Sequence, residues 1–277
     1  LYSMGEQFKE LISFNNLHKS YRLARNNKRY RVSILKFSSR LEENLISLQQ
    51  ELMSKTYIHG EYKEFVVTDS KPRIIHAPNF KDRVVHHAFC EIVESGFDRS
   101  FIYDSYACRF DKGTHTAFRR VEHFLRSIRS EFAGCIPYCL KCDISKYFKN
   151  VNQDILLDIL SKKIGDEEVF DLARKIVRSF RDGIPIGNLT SQLFANIYLN
   201  ELDHFVKREL KERYYIRYMD DFLILGTDKR HLAVQKERIR EFLRERLKLE
   251  LHPRKCEIFP IDKGLDFLGY VLINAKR

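Results

Sequence analysis

Two apolar, strand-like segments of the chain lead abruptly into aspartate. The first covers residues 139–143 and ends at Asp143, and the second covers residues 214–218. Only Met219, Asp220 and Asp221 separate the second segment from another apolar run at residues 222–225, which predicts a β-hairpin with two carboxylates at its tip. Because a buried carboxylate without a partner is costly, these acidic strand ends predict a functional site.

Carboxylates on separate rigid strands suit a pair of divalent cations. Nucleotidyl transfer uses two Mg²⁺ ions about 3.5–4 Å apart, and such hard cations take oxygen ligands. We therefore expect Asp143 and Asp220 to bridge two Mg²⁺ ions, with Mn²⁺ able to substitute. Asp221 is predicted to be an auxiliary carboxylate, and the backbone carbonyl of Ile144 a ligand of the nucleotide-bound ion. For Asp220 and Asp221 taken alone, an ordinary turn is the alternative, since aspartate is common in turns.

The charge balance points to a polyanionic partner. Lysine and arginine number 49 against 38 acidic residues, a formal charge of +11. Nucleic acid is the first interpretation of that charge, and an anionic membrane surface is the second. No apolar run has the length of a membrane span and no leader is apparent, so no membrane association is expected. Six cysteines without regular spacing predict a reduced, cytoplasmic protein.

Hydrophobic periodicity predicts a mixed chain of helices and strands. The predicted helices cover residues 6–57, 82–96, 115–130, 153–164, 166–180, 191–212 and 230–247. The predicted strands cover residues 65–67, 73–76, 136–144, 214–218 and 222–225, with a final strand pair at 256–259 and 267–272. A loop at residues 183–187 contains two glycines and a proline and cannot be regular structure.

Several motifs together resemble the sequence blocks of reverse transcriptases, over residues 63–270. The motifs are Tyr218-Met219-Asp220-Asp221, Asp143-Ile144-Ser145-Lys146-Tyr147-Phe148, Lys71-Pro72-Arg73-Ile74-Ile75, Lys81-Asp82-Arg83-Val84-Val85-His86-His87, Tyr106-Ala107-Cys108-Arg109, Lys112-Gly113-Thr114-His115 and Phe267-Leu268-Gly269-Tyr270. The resemblance implies an RNA-directed DNA polymerase that takes an RNA template, a DNA or RNA primer and dNTPs.

The resemblance also implies an α+β fold with the right-hand polymerase architecture. Fingers and palm are expected, with an antiparallel palm sheet packed on helices and a thumb that is absent or truncated. The expected divisions are an N-terminal helical region at 4–60, fingers at 61–135, palm at 136–180 and 181–272, and the start of a missing thumb, or a tail, at 273–277.

The segment at residues 183–198 indicates which kind of reverse transcriptase to expect. Group II intron and retron enzymes usually carry glutamine and proline where this chain has Ile186 and Gln192. That pair is similar to the reverse transcriptases of diversity-generating retroelements, which make error-prone cDNA from a template-repeat RNA. The resemblance implies a prokaryotic or phage-encoded enzyme whose partner is a small basic accessory variability protein. A retron, group II intron or antiphage enzyme, and a non-catalytic RNA-binding domain, are the alternatives.

Further site residues follow from the resemblance. It implies that Phe148 is the steric gate against a ribose 2′-hydroxyl, with core packing as the alternative role. Lys255 occupies the position of a palm lysine and is a candidate general acid for the leaving pyrophosphate. Nucleotide-binding candidates are Arg73, Lys81 and Arg83 as a triphosphate clamp, Ile186 as an apolar contact, Gly187 for close backbone approach, and Gln192. Each of the three cations has a surface charge or a template contact as its alternative.

Overall fold

The structure of the chain is a computed structural model that describes residues 4–68 and 72–272. The helices are α1 Glu6–Ile12, α2 Phe14–Ala24, α3 Val32–Ser38, α4 Leu41–Met53, α5 Phe80–Asp98, α6 Thr114–Glu131, α7 Tyr147–Asn150, α8 Gln153–Ser161, α9 Glu167–Arg178, α10 Leu189–His204 and α11 Lys229–Arg246. The strands are β1 Lys63–Thr68, β2 Pro72–Ala77, β3 Tyr138–Asp143, β4 Tyr215–Tyr218, β5 Asp221–Gly226, β6 Glu257–Pro260, β7 Leu265–Phe267 and β8 Tyr270–Leu272. A five-residue π-helix, Phe205–Glu209, follows α10, and a 3₁₀ turn, Ile261–Lys263, follows β6.

The chain forms two compact units. The first unit contains the residues up to Arg99 together with Asn152–Phe194, and the second contains Ser100–Val151 together with the residues from Ala195 onward. The division boundaries expected from the sequence remain predictions. The expected division at 273–277, the start of a thumb or a tail, lies outside the described residues. The predicted basic turn at 69–71 also lies outside them.

The N-terminal part of the first unit consists of four helices where the sequence predicted one helical stretch. Ser13 separates α1 from α2 and caps α2, because its side chain accepts a hydrogen bond from the backbone N–H of Asn16. Between α2 and α3 the chain turns at residues 25–31, where Asn27 adopts a positive φ of 58°. Asparagine tolerates this conformation, so no glycine or proline marks the break.

Three further helices of the first unit are capped by side chains. Asn79 caps α5, Asn152 caps α8 and Asp166 caps α9, each by accepting hydrogen bonds from backbone N–H groups of the first turn. Helix α5 packs against α2, and six of the seven residues from Val84 to Cys90 are buried. The hairpin of β1 and β2 pairs antiparallel from Lys63↔Ala77 to Thr68↔Pro72.

A four-stranded antiparallel sheet lies at the centre of the second unit, in the order β4-β5-β3-β6. Helix α6 packs against β4 and β5, and α11 packs against β3, β5 and β6. The strands are apolar because the sheet is covered: Leu140, Phe222 and Ile224 are fully buried.

The predicted final strand pair was wrong in its pairing. Strand β6 joins the central sheet beside β3, with Tyr138 opposite Pro260 and Leu140 opposite Ile258. The remaining residues form a separate short hairpin, in which Phe267 of β7 lies opposite Tyr270 of β8. Pairing between strands more than a hundred residues apart depends on tertiary packing, which hydrophobic periodicity does not report.

Candidate active site

Asp143 and Asp221 lie side by side at one end of the central sheet. In the antiparallel register of β3 and β5, the two residues are directly opposite each other. Residues opposed in this way have Cα atoms about 4.5–5.5 Å apart and point to the same face of the sheet. The sheet register therefore brings together two carboxylates that are 78 positions apart in sequence.

Asp220 occupies the turn of the β4–β5 hairpin. Tyr218 pairs with Asp221, so Met219 and Asp220 form a two-residue turn. Met219 has a φ of 56°, the sign that a tight hairpin turn requires at its first central position. The predicted hairpin with two carboxylates at its tip is present.

The three carboxylates influence one another electrostatically. Burial and then the nearby charge of Asp221, with a smaller contribution from Asp143, raise the pKa of Asp220 from its ordinary value of 3.8 to about 6. Burial, followed by the charge of Asp143, also raises the pKa of Asp221. Each cause opposes the ionised form, so an added cation would stabilise this cluster.

Lys255 supplies a positive charge to the cluster. Its Nζ atom donates to Asp143 Oδ2 at 2.5 Å, and 48% of the lysine side chain is exposed compared with 14% of the aspartate. This hydrogen bond raises the pKa of Lys255. The structure thus brings Lys255 together with Asp143, although their sequence separation is 112 residues.

The backbone around Ile144 is held by a segment that precedes Lys255. Ile144 forms an isolated antiparallel bridge with Leu251. The two hydrogen bonds beside it run from the His252 N–H to the Asp143 carbonyl, at 2.7 Å, and from the Ser145 N–H to the Glu250 carbonyl, at 2.8 Å. Ile144 contributes to neither bond, so this bridge does not engage its carbonyl oxygen.

The donor set fits a divalent cation in its chemistry. Three neighbouring carboxylates and a backbone carbonyl oxygen are hard oxygen ligands, the kind that Mg²⁺ prefers. Within residues 4–68 and 72–272, no three His, Cys, Asp or Glu side chains are already arranged around a common point as a metal site. Asp143 Oδ2 accepts a hydrogen bond from Lys255 instead, so a metal ion would compete with Lys255 for this oxygen.

Phe148 lies on the short helix α7, five positions after Asp143. The preceding residue, Tyr147, is fully buried and donates its hydroxyl to the carbonyl of Ala195 at 2.6 Å, which anchors the helix. Phe148 is only partly buried and its ring packs against that of Tyr147. A partly accessible ring on an anchored helix is compatible with the predicted steric gate.

The predicted triphosphate clamp residues belong to the first unit and differ in their surroundings. Arg73 is exposed on β2. Lys81 is paired with Glu51, with 2.9 Å between Nζ and Oε2. The Nε and Nη1 atoms of Arg83 are buried without a hydrogen-bond partner among the described residues, and burial followed by the charge of Arg31 lowers its pKa. All three roles remain predictions.

The predicted nucleotide loop is also part of the first unit. The carbonyl of Ile186 accepts a hydrogen bond from the His76 N–H at 2.9 Å, which ties the loop to β2. Gly187 has a φ of 111°, and an added Cβ would lie 2.5 Å from Ile75 Cγ2. Gln192 is exposed on the first turns of α10. A glycine is therefore required at position 187 by both backbone conformation and space.

Sequence reasoning missed a buried ion pair beneath the hairpin. Arg217 of β4 and Asp203 of α10 are both fully buried, with 2.6 Å between Nη2 and Oδ2. A signal was available, because an arginine inside the apolar run of residues 214–218 has to find a partner when that strand is buried.

Comparison with known proteins shows to which protein family this chain belongs. Residues 63–272 match the family described as reverse transcriptase (RNA-dependent DNA polymerase). This chain belongs to that family. The match confirms the predicted enzyme class, and the mixed helix and sheet structure is consistent with the predicted fingers and palm.

Two curated relatives of this reverse transcriptase are bacterial. It is 26% identical to Protein YkfC of Escherichia coli, over 86% of this chain and 73% of YkfC. It is 25% identical to the group II intron-encoded protein LtrA of Lactococcus lactis, over 83% of this chain but only 49% of LtrA. The reverse transcriptase described here thus spans about half the length of LtrA.

Solved structures with the same fold include telomerases. The telomerase of Candida albicans, in complex with a TWJ fragment of telomeric RNA, has a TM-score of 0.59 at 13% identity, covering 81% of this chain and 49% of that one. The apo telomerase of Candida tropicalis, truncated from its C-terminal domain, also has a TM-score of 0.59, at 12% identity, covering 84% and 58%. At these identities the likeness concerns the fold alone. Among the described residues, no helix is long and apolar enough to cross a membrane.

Proposed function

We propose that this reverse transcriptase extends a DNA or RNA primer on an RNA template at the cluster of Asp143, Asp220 and Asp221. The observation that carries the proposal is the register of the central sheet, which places Asp143 opposite Asp221 and leaves Asp220 in the adjoining turn. Asp143, Asp220 and the Ile144 carbonyl would hold two Mg²⁺ ions, with Asp221 as an auxiliary carboxylate. When bound, such ions activate the primer hydroxyl and neutralise the triphosphate.

The remaining residues have proposed roles in binding and proton transfer. Lys255 is the proposed general acid for the leaving pyrophosphate, since its ammonium, the charged form of lysine at neutral pH, lies beside Asp143. Phe148 excludes the ribose 2′-hydroxyl of the incoming nucleotide. Arg73, Lys81 and Arg83 contact phosphate groups, and Ile186, Gly187 and Gln192 contribute to the nucleotide site.

A primer-extension assay tests the enzyme proposal. An RNA template with an annealed DNA primer is incubated with dNTPs and Mg²⁺, and the extended products are measured. The unaltered chain should extend the primer and Asp220→Asn should not. Asp262→Asn is the matched control, because Asp262 is an exposed carboxylate of the same unit. Extension by Asp220→Asn at the rate of the control would contradict the proposal.

The proposed biological setting is a diversity-generating retroelement of a prokaryote or phage. Its support is Ile186, a partly buried apolar residue whose own carbonyl is held by His76. An apolar side chain at this position cannot hydrogen-bond the nucleotide, and a site without polar contacts rejects a wrong partner weakly. Weak discrimination raises the frequency of errors, and the resemblance to retroelement enzymes implies that these errors fall at template adenines. A small basic accessory variability protein is proposed as the partner.

A group II intron type of reverse transcriptase is the second candidate, favoured by the relationship to LtrA. Sequencing of cDNA distinguishes the two. For the retroelement enzyme, errors should concentrate at template adenines and Ile186→Gln should lower them, whereas the intron type should show no concentration of errors at adenines. Ile75→Val, which alters a neighbouring apolar contact of the same loop, serves as the control substitution. Equal error frequencies at adenines in the unaltered chain and Ile186→Gln would contradict the retroelement proposal.

A further inference from the structure

We propose that Arg217 and Asp203 are positioning residues that fix the Met219–Asp220 turn in the conformation needed for metal binding. This inference rests on the proposed function, because it assumes that Asp220 holds a metal ion. It concerns a pair of residues that does not touch substrate and acts through the hairpin backbone.

The pair is a two-point contact in a fully buried setting. Arg217 donates from Nε to Asp203 Oδ1 at 2.7 Å and from Nη2 to Asp203 Oδ2 at 2.6 Å. Both side chains are 0% exposed. Tyr215 donates its hydroxyl to the same carboxylate at 2.7 Å. Two parallel hydrogen bonds fix the plane of the guanidinium relative to α10.

The other donors of the guanidinium are also engaged. Nη1 donates to the Met219 carbonyl at 3.1 Å and to Asn196 Oδ1 at 3.2 Å, and Nη2 donates to Ser105 Oγ at 3.1 Å. With the two bonds to Asp203, all five N–H groups of an arginine are used. The side chain therefore has a single orientation, and one of its contacts is the turn itself.

The contact with Met219 bears directly on Asp220. The Met219 carbonyl and the Asp220 N–H belong to one planar peptide group, so fixing the oxygen fixes the peptide from which Asp220 projects. Met219 also adopts a positive φ of 56°, which costs a residue with a side chain about 1–2 kcal/mol. An unfavourable conformation persists only where surrounding contacts hold it.

The backbone of Arg217 is anchored independently of its side chain. Its N–H donates to the Asp104 carbonyl at 2.9 Å, and its carbonyl accepts from the Tyr106 N–H at 3.0 Å. Arg217 thus links a rigid strand, helix α10 and the turn.

Stability alone is a weak explanation for this ion pair. Desolvation of two buried charges offsets most of their attraction, and apolar residues of similar volume in their place are often neutral or stabilising. Removing one partner alone leaves an unpaired buried charge, so single truncations would not separate positioning from folding. A positioning role predicts a different outcome, in which an apolar pair folds but the turn no longer holds Asp220.

The experiment replaces the pair in a background that lacks the Tyr215 hydroxyl, which would otherwise lose its acceptor on Asp203. Tyr215→Phe is the reference variant, because it loses only the bond to Asp203 and keeps the contact between Arg217 and Met219. The test variant adds Asp203→Leu and Arg217→Met, and a third variant adds Arg217→Lys alone. Lysine keeps the charge balance, but its single ammonium cannot reproduce the fork that joins Asp203 to Met219.

Three measurements are made on each variant: the unfolding midpoint, the Mg²⁺ dissociation constant by calorimetry without nucleotide, and kcat and KM for dNTP. Tyr215→Phe should match the unaltered chain in Mg²⁺ affinity and kcat. The test variant and the lysine variant should unfold cooperatively, yet bind Mg²⁺ about 10- to 100-fold more weakly, the usual effect of losing a partner behind the metal ligands. The kcat should fall while the KM for dNTP changes little.

Several results would overturn the inference. Unchanged Mg²⁺ affinity in a folded test variant would show that the pair does not position the turn. If neither the test variant nor the lysine variant folds, the pair serves stability. If Tyr215→Phe loses as much Mg²⁺ affinity and kcat as the other two variants, the effect is one of general packing. Different results would contradict the proposed function itself. These are the absence of Mg²⁺-dependent primer extension by the unaltered chain, or primer extension by Asp220→Asn.

Discussion

The cluster of carboxylates should destabilise the folded chain when no divalent cation is bound. The perturbation that tests this is Asp220→Asn, which removes one charge and keeps the shape of the side chain. The pKa of Asp220 lies at about 6 instead of 3.8, first because of burial and then because of Asp221. The carboxyl therefore favours the folded chain only while it is protonated. That contribution is complete below about pH 4 and is lost as the pH rises through about 6.

The magnitude follows from the difference between the two pKa values. At about 1.4 kcal/mol for each tenfold change in proton affinity, the ionised carboxylate costs up to about 3 kcal/mol at pH 7.5. Asp220 is partly exposed and solvent screens it, so we expect a stabilisation of about 1–3 kcal/mol in Asp220→Asn. For a chain of this size, that corresponds to an unfolding midpoint about 2–6 °C higher.

The assay is thermal unfolding at pH 7.5 in EDTA, followed by circular dichroism. The midpoint of Asp220→Asn should exceed that of the unaltered chain, while Asp262→Asn should not change it. At pH 5 the advantage should shrink, because the Asp220 carboxyl is then largely protonated. Added Mg²⁺ should raise the midpoint of the unaltered chain more than that of Asp220→Asn. A lower or equal midpoint for Asp220→Asn in EDTA would refute the electrostatic reasoning.

Three further substitutions give distinct outcomes. Phe148→Ala should raise the ratio of rNTP to dNTP incorporation by about 10- to 100-fold in single-nucleotide extension, since contact with an apolar side chain supplies discrimination of that order. An unchanged ratio would indicate that Phe148 serves core packing. Lys255→Met should tighten Mg²⁺ binding by less than about fivefold in calorimetry, because it removes a half-exposed ammonium that competes with Mg²⁺ for Asp143. The same variant should have a lower kcat, and weaker Mg²⁺ binding would contradict the prediction. Gly187→Ala should lower the free energy of unfolding in urea by about 1–3 kcal/mol, because of the positive φ and the close approach to Ile75. Gly134 also has a positive φ, but a Cβ added there meets no atom within 4 Å, so Gly134→Ala controls for the backbone effect alone.

The sequence predicted the central strands well because their pattern is local. Apolar runs that end at Asp143 and before Asp220 form β3 and β4, and a two-residue connection leaves a hairpin as the simple solution. The pairing of Asp143 with Asp221 in one register required the fold, although a shared site was expected from the chemistry of the two carboxylates.

Long-range partners were the part that the sequence did not predict. The position of β6 beside β3 and the pairing of Arg217 with Asp203 depend on which surfaces meet in three dimensions. Helical breaks were missed for a different reason. Ser13 caps α2 with its side chain, and Asn27 adopts a tolerated positive φ in the turn between α2 and α3, so neither break carries the glycine or proline that usually marks one.

The opposed positions of Asp143 and Asp221 determine where this chain tolerates insertions. One residue inserted within β3 or β5 would turn every later side chain of that strand to the other face, and the two acids would be separated. Lengthening the connection between β5 and α11 ahead of Asp228, which is exposed and caps α11, costs little chain entropy. Fusion of tags or guest domains should therefore be directed to that connection and kept out of the sheet.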